Sequence, residues 1–379
     1  MGLGLCLLGV GTGAAEAGTV TIAWDRNPEA SVAGYIVYYG KAPRSYTTSV
    51  DVGNRTSWSF NEPTAGPYYF AVQAYNRNGI GGPLSSEVSS SLTTVANFDG
   101  DAKVDLGTFR PSDGHWRIFQ SALGTALDIQ WGQGGDVPLA GDVDGDGKSD
   151  IVAYRPSEGN WYILKSSEGF AIAKALIYRW GAAGDIPLLG DFDGDGRADL
   201  VAYRPTNGYW YIRLATGEQR TYVWGSTGDI PLIADFDGDR QADLTVFRPS
   251  NGYWFISLSA YGYSPMGSGA RIWGATGDKP VVGDFDGDGG TDLAVYRPSD
   301  NVWYIWFSYG NFIPGNAMGI KWGQAGDTPA PGDFDGDGKT DIVVYRPSDG
   351  RWYQLLSSRR FTNGLSYAWG TAGDITLAR

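Results

Sequence analysis

The sequence predicts an all-β protein: a small N-terminal β-sandwich followed by a β-propeller of six four-stranded blades. Three observations carry this. The chain holds 57 Gly, 15 Trp and 23 Tyr in 379 residues but only three Met, a composition that favours short strands and tight turns over helices. Apolar residues alternate with a period of two in short runs set between clusters of Gly, Pro, Asn and Asp. One acidic segment recurs six times, starting at Asn97, Asp142, Asp191, Asp235, Asp284 and Asp333 at intervals of 44 to 49 residues, the period of a propeller blade.

Composition excludes several functions. A chain that is 42% hydrophobic and 19% charged is not a disordered acidic tail. A net charge of −13 argues against nucleic acid or an anionic membrane as partner, because both select basic faces. One His and one Cys leave little for zinc sites or for nucleophile–base catalysis.

Residues 1–17 read as a signal peptide. Leu3 to Val10 is an apolar run containing Cys6, and a stretch of small residues ends in Ala15-Glu16-Ala17, a small-x-small cleavage pattern. The first basic residue is Arg26, so the basic leader segment is missing and the start is expected to be truncated. Lipidation at Cys6 is the weaker reading, since Leu5 precedes it where a small residue is expected. The chain is thus expected to be exported, to the cell surface, the medium or a periplasm. No later segment could span a membrane.

Residues 18–93 form the sandwich. Thr19–Trp24, Gly34–Tyr39 and Tyr68–Tyr75 alternate with strand period, separated by turn clusters at Asp25–Pro28, Pro63–Pro67 and Asn76–Gly79. The segments "VTIAWD", "AGYIVYYG" and "YYFAVQAYNRNG" resemble a fibronectin type III domain. That resemblance implies a buried core Trp at Trp24, a corner tyrosine at Tyr68, and a spacer or docking role.

Residues 94–379 carry the repeat. Each unit reads as strand, acidic loop, strand, Arg-Pro turn, strand, hairpin, strand. Asp150–Pro156, Trp161–Leu164, Ile177–Gly181 and Asp185–Leu189 illustrate it. Leu92–Ala96 and Asp374–Ala378 both occupy the place of the first strand, so the chain enters and leaves the repeat at one point, as a closed ring requires. Twelve Trp fall at two fixed positions, Trp116, Trp161, Trp210, Trp254, Trp303, Trp352 and Trp131, Trp180, Trp224, Trp273, Trp322, Trp369. Repetition assigns them to packing between blades, with a sugar-stacking platform as the minority reading. The repeated Arg110, Arg155, Arg204, Arg248, Arg297 and Arg346 are read as structural ion pairs or stacked guanidiniums.

The acidic loops are predicted cation sites. Ligands are expected at loop positions 1, 3, 5 and 9 through carboxylates and at position 7 through a backbone carbonyl. The sets are Asn97, Asp99, Asp101, Lys103 and Asp105; Asp142, Asp144, Asp146, Lys148 and Asp150; Asp191, Asp193, Asp195, Arg197 and Asp199. The remaining three are Asp235, Asp237, Asp239, Gln241 and Asp243; Asp284, Asp286, Asp288, Gly290 and Asp292; and Asp333, Asp335, Asp337, Lys339 and Asp341. All-oxygen ligands in a glycine-bent loop suit Ca²⁺, and without a cation the crowded carboxylates repel one another. Loop 1 lacks one carboxylate and has Ala102 in place of Gly, and loop 4 has Arg240 there, so both are expected to bind more weakly. These are not EF-hands: loop 2 has Ala153 where a bidentate Glu would stand.

With these loops the region from about residue 92 to 379 resembles FG-GAP/VCBS repeat propellers, the class that includes the integrin alpha-subunit head. The resemblance implies structural Ca²⁺, up to six ions, in the loop joining the first two strands of each blade. It also makes seven blades the alternative count.

Function is expected from loops that depart from the repeat. Tyr261 and Tyr263 lie in one hairpin, and Trp306, Tyr309 and Phe312 in another; these aromatics either contact a glycan or protein ligand or cover a blade edge. An enzyme is not expected, because His115, the only His, replaces Asn160, Tyr209 or Arg351 of other repeats. The leading reading is a secreted, monomeric, non-catalytic binding or adhesion protein. The alternatives are a carbohydrate-active enzyme or its accessory subunit, and a purely structural surface spacer. Of 42 carboxylates, 23 lie in the six loops, leaving 19 against 29 Lys and Arg. The acidity is therefore local to the loops, and six divalent ions would balance it.

Overall fold

A computed structural model describes residues 5–11, 19–24, 31–40, 46–61, 69–85, 88–89, 96–101, 103–239, 241–288 and 290–378. The chain divides into two compact units. One comprises Met1–Thr93, Gly100–Ala102 and Gly336–Gly338, and the other Thr94–Asp99, Lys103–Asp335 and Lys339–Arg379.

The first unit is built from two antiparallel sheets. Leu5–Gly11, Thr19–Trp24 and Ser57–Asn61 make one, in that spatial order. Thr48–Gly53, Val32–Gly40, Tyr69–Asn76 and Gly81–Leu84 make the other, with Val88–Ser89 also paired to Tyr69–Asn76. Ile22 and Trp24 of the first sheet share a buried cluster with Tyr35, Val37, Phe70 and Val72 of the second. Trp24 is 4% exposed and meets Tyr35 edge-on at 5.5 Å, the core role the sequence assigns it. The stretch read as an apolar leader, Leu5–Gly11, runs as a strand antiparallel to Thr19–Trp24. Ala15–Ala17, the turns at 25–28 and 63–67, and Tyr68 lie outside the described residues.

The second unit contains six four-stranded antiparallel sheets. Blade 2 shows the plan: Val137–Gly141 inside, then Asp150–Arg155, Asn160–Leu164 and, outermost, Leu176–Arg179. Blade 1 is completed from both ends of the unit, because the C-terminal Ile375–Thr376 pairs with Leu106–Arg110 as its inner strand. The first-strand role in blade 1 thus falls to the C-terminal segment; residues 92–95, read from the sequence as the entry to the ring, lie outside the described residues. Six sheets closed this way settle the count expected from the repeat. Apart from strands, the described residues include one four-residue helix, Tyr309–Phe312, and several short 3₁₀ turns.

Blade contacts follow the repeated residues. Trp116, Trp161, Trp210, Trp254, Trp303 and Trp352 are fully buried, each donating its indole N–H to the carbonyl of the second Trp of its own blade at 2.6–3.2 Å. The second Trp donates to the next blade: Trp131 to Tyr162, Trp180 to Tyr211, Trp224 to Phe255, Trp273 to Tyr304 and Trp322 to Tyr353, at 3.0–3.1 Å. Trp369 donates across the closure to Arg117 O at 3.2 Å. The repeated Arg grips the buried Asp just before its blade's inner strand, as Arg204 grips Asp185 through Nε at 2.8 Å and Nη2 at 2.9 Å. In blades 2 to 6 its guanidinium also lies 3.9–4.5 Å over the ring of Tyr162, Tyr211, Phe255, Tyr304 or Tyr353. Ion pair and stacking therefore coexist in one side chain.

Two backbone positions explain local sequence. The Arg-Pro turn ends in a left-handed residue, Gly at 114, 159, 208, 252 and 350 with φ of 68–74°. The sixth turn has Asn301 at φ 60°, the non-glycine residue type that tolerates this region best. At the ring closure Gly107 leaves room for Leu377, whose Cδ1 lies 2.6 Å from where a Cβ would stand.

Candidate metal centres

In blades 2 to 6 the acidic loop joins the inner strand to the second strand, in blade 1 it leads into the second strand, Leu106–Arg110, and in every loop the ninth residue is the anchor. Asp105, Asp150, Asp199, Asp243, Asp292 and Asp341 are wholly buried. One carboxylate oxygen accepts the amide of the second loop residue at 2.7–2.9 Å. The other accepts the amide at the head of the blade's outer hairpin, Ser121, Ser166, Ala215, Ser259, Ser308 or Ser357, at 2.7–2.8 Å. The ninth-position Asp thus fastens loop to hairpin, a role the sequence reading, which made it simply a ligand, did not foresee.

Backbone amides also aim the other carboxylates. The first-position Asp142, Asp191, Asp235 and Asp284 accept the fourth-position amide at 2.6–2.7 Å. The fifth-position Asp146, Asp195, Asp239 and Asp288 accept the seventh-position amide of Lys148, Arg197, Gln241 and Gly290 at 2.8–2.9 Å. Hairpin hydroxyls of Ser166, Ser259 and Ser308 donate to Asp146, Asp239 and Asp288 at 2.8–3.1 Å. Ser167 and Ser358 donate to the third-position Asp144 and Asp335. The hairpin serine was missed from sequence although its signal is there: it stands 16 residues after the ninth-position Asp in five blades, with Ala215 in the sixth.

The result is six groups of converging carboxylates among the described residues, the oxygens of each lying within 4.8 Å of one another. Five of them are Asp99, Asp101 and Asp105; Asp142, Asp144 and Asp146; Asp191, Asp193 and Asp199; Asp235, Asp237 and Asp239; and Asp284, Asp286 and Asp292. Burial first, and then neighbouring carboxylates, push the ninth-position Asp residues up to about 7 against the amides that hold them down. Asp142 and Asp191 rise to about 6 for the same reasons. In two loops a buried third-position oxygen, Asp144 Oδ1 and Asp335 Oδ1, has no hydrogen-bond partner. A buried acceptor aimed among like charges is costly unless a cation meets it. The donor set is entirely oxygen, which fits a hard divalent ion.

The loops are also joined to one another. The eighth-position amide of Ser149, Ala198, Ala242, Thr340 and Val104 donates to the first-position carbonyl of the preceding loop, Asn97, Asp142, Asp191, Asp284 and Asp333, at 2.6–2.7 Å. Between loops 4 and 5 the Thr291 hydroxyl donates to Asp235 O at 2.5 Å. Six such links close a circle.

The hairpin aromatics are placed differently from one another. Tyr263 turns inward, 4.6 Å from Tyr222, and its hydroxyl donates to Ala242 O at 2.8 Å. Trp306 packs 5.3 Å from Trp273 of the preceding blade and 5.5 Å from Phe312, its N–H donating to Ile313 O. These three cover blade boundaries, the second of the two roles weighed for them. Tyr263 and Phe312 are in fact on the repeat plan. With Phe170 and Phe361 they stand 20 residues after the ninth-position Asp, each in the left-handed backbone region. Tyr261 is 52% exposed, with Cγ and Cδ2 of its ring close against Gly267. Tyr309 lies in the short helix.

On the side of the Arg-Pro turns, an open hollow between blades 5 and 6 is lined by Lys321, Trp322, Gly323, Arg346 and Tyr353. His115 lies on the third strand of blade 1, its Nδ1 2.6 Å from Asp128, which is 54% exposed.

The second unit is therefore a closed six-bladed propeller with one carboxylate-rich loop per blade. The chain carries FG-GAP-like repeats: the model of that family matches residues 142–202, 191–246 and 284–344. Comparison with curated protein sequences gives no match. Similar solved structures include TolB from Acinetobacter baumannii, at 12% identity and TM-score 0.49 over 83% of this chain and 81% of that one. A lectin of Agrocybe aegerita that recognises non-reducing terminal N-acetylglucosamine is similar at 15% identity and TM-score 0.48, over 93% and 92%. Virginiamycin B lyase from Staphylococcus aureus is similar at 10% identity and TM-score 0.48, over 73% and 84%. Among the described residues no helix is long and apolar enough to cross a membrane.

Proposed function

We propose that this chain is an exported, non-catalytic binding protein whose propeller is held together by calcium. The observation that carries the calcium reading is the convergence of loop carboxylates on one point in each blade, with Asp144 Oδ1 and Asp335 Oδ1 buried and unpartnered. Carboxylates drawn from positions 1, 3, 5 and 9 would hold the ion, with the seventh-position carbonyl completing the set. The ion would supply charge neutralisation, not chemistry on a substrate. Residues 1–17 act as the export signal, and residues 18–93 as a fibronectin type III-like spacer.

The ligand is a glycan. The hollow sets Trp322 and the Lys321 ammonium beside Tyr353, whose ring lies 3.9 Å under the Arg346 guanidinium, a mixture of aromatic and charged groups that supports a sugar ligand. The exposed Tyr261 ring is a second contact. The fixed Asp327 partner of Arg346 holds the hollow's shape through bonds of 2.8 and 3.0 Å.

A glycan array probed with calcium-loaded protein tests this. Binding to a defined glycan class that weakens at least several-fold in Lys321→Ala is expected. Absence of binding to every glycan, or release of sugar from a polysaccharide, overturns the non-catalytic glycan-binding reading.

A further inference from the structure

The third acidic loop contains its own cation. Arg197, at its seventh position, donates from Nε to Asp195 Oδ2 at 2.9 Å, and Nη2 donates to the same oxygen. Asp195 is the fifth-position carboxylate. The carboxylates that converge in this loop are Asp191, Asp193 and Asp199. Loops 2 and 4 include their fifth-position Asp146 and Asp239, whereas loop 5, with Gly290 at its seventh position, also converges without its fifth-position Asp288. The arginine, which the sequence singled out only for its backbone carbonyl, is distinguished by its own pairing with a prospective ligand of the centre.

Its stem is held in place by the neighbouring loop. Arg197 Cγ and Cδ lie 3.0 and 3.3 Å from where a Cβ on Gly145 of loop 2 would stand, so that glycine leaves the stem its room. The Asp195 and Arg197 side chains remain 24% and 33% exposed, so the guanidinium can swing into water. The other arginine facing the loop, Arg220, is engaged elsewhere, donating to Phe192 O at 3.2 Å and to Glu218 at 2.8 Å.

We infer that Arg197 is a resident counter-cation of the third loop, competing with the divalent ion for Asp195. With no ion bound, the guanidinium neutralises one carboxylate of the cluster. When an ion enters, Asp195 must exchange the arginine for the metal, and the released positive charge stays near a doubly charged guest. Both effects lower the affinity of this one site, so the six sites are not equivalent. This rests on the calcium reading above.

Calcium titration against a competing fluorescent chelator, with bound ions counted by equilibrium dialysis, tests it. In Arg197→Gln, one site tightens on the order of tenfold, the scale expected for removing a unit charge near a divalent ion and a charge-assisted pair. Arg197→Met, which keeps the apolar stem on Gly145, behaves alike, and Arg197→Lys stays nearer the wild type. In an Asp193→Asn background the substitution has no effect, which assigns the change to loop 3. Calcium binding by the wild type with unchanged constants in both neutral variants, each shown folded by near-ultraviolet circular dichroism, overturns this inference alone. No calcium bound by the wild type up to about 10 mM, beyond the usual range of extracellular modules, removes the calcium reading and this inference together.

Discussion

Removing calcium should cost this propeller a large part of its thermal stability, and the size of the loss can be worked out. Extracellular calcium modules bind at about 10⁻⁴ to 10⁻³ M. At about 2 mM calcium each such site adds roughly 0.6–1.8 kcal/mol to the folded state, so six add about 4–11 kcal/mol. A unit of about 290 residues unfolds with an entropy near 0.6 kcal/mol/K, which turns that gain into roughly 6–18 °C of Tm. Scanning calorimetry in about 2 mM calcium and in excess chelator measures it. The shift should reverse on adding calcium and be smaller with magnesium, which keeps its water and demands shorter, octahedral contacts. Asp144→Asn sharpens the test by changing sign. In chelator it relieves repulsion around the unpartnered Oδ1 and should leave Tm unchanged or raise it. In calcium it removes a ligand and should lower Tm by about one site's share, roughly 1–3 °C. An unchanged Tm after verified metal removal refutes the calcium reading. An equal loss from Asp144→Asn in both conditions makes Asp144 merely structural.

Two further outcomes follow from the same interactions. The ninth-position Asp residues rise to about 7 in the metal-free fold, above their unfolded value, so the folded state binds more protons between about pH 4 and 7. Chelated protein should therefore lose stability as pH rises through that window, and the calcium-dependent gain should grow from about pH 5 to 8; calorimetry showing the opposite slope in chelator contradicts this. Arg248→Met should cost about 3–5 kcal/mol, or roughly 5–8 °C, because it leaves a buried carboxylate unpaired. Here Arg248 bonds Asp229 at 2.7 and 2.8 Å, and Asp229 is 3% exposed. In an Asp229→Asn background the cost should shrink, and a loss below about 1 kcal/mol in the wild-type background would show that the pair is dispensable.

The repeat made most of this legible beforehand, because a residue that recurs at a fixed offset has one structural explanation six times over. The Trp and Arg positions could be assigned from spacing alone, and each occupies the kind of place the spacing implied; spacing grouped the loop Asp residues but hid the anchoring role of the ninth. What sequence hid were relations between repeats. Trp131 reaching Tyr162 O, or Ser149 reaching Asn97 O, are contacts between backbone and neighbour that leave no residue signature. For Tyr263 and Trp306 two roles were open for a different reason. An aromatic near a loop tip carries the same pattern whether its ring faces solvent or the adjoining blade, and the contacts with Tyr222 and Trp273 exist only in the fold. The recurring serine and aromatic of the hairpins were readable, but only by measuring offsets from the ninth-position Asp instead of from the tryptophans.

The circle of loop contacts ties the carboxylate clusters, the proposed metal sites, to closure of the ring. With a single cysteine the chain can form no internal disulfide, and its ring is completed by a strand of only two residues, Ile375–Thr376. Closure must therefore be shared out among the blade boundaries. The tryptophan bonds link the residue after one blade's outermost strand to the third strand of the next, and the eighth-position amides link loops through the backbone of the residue whose side chain opens each carboxylate cluster. An ion that orders Asp142 also fixes the carbonyl to which Ala198 of the next loop is bonded. On the calcium reading each site would thus stiffen the boundary with its successor, and six of them in a closed series would act on the whole ring. On the same reading an arginine such as Arg197, poised on one loop with its stem on another, would be a local means of setting how strongly two neighbouring blades respond to an ion in the third loop.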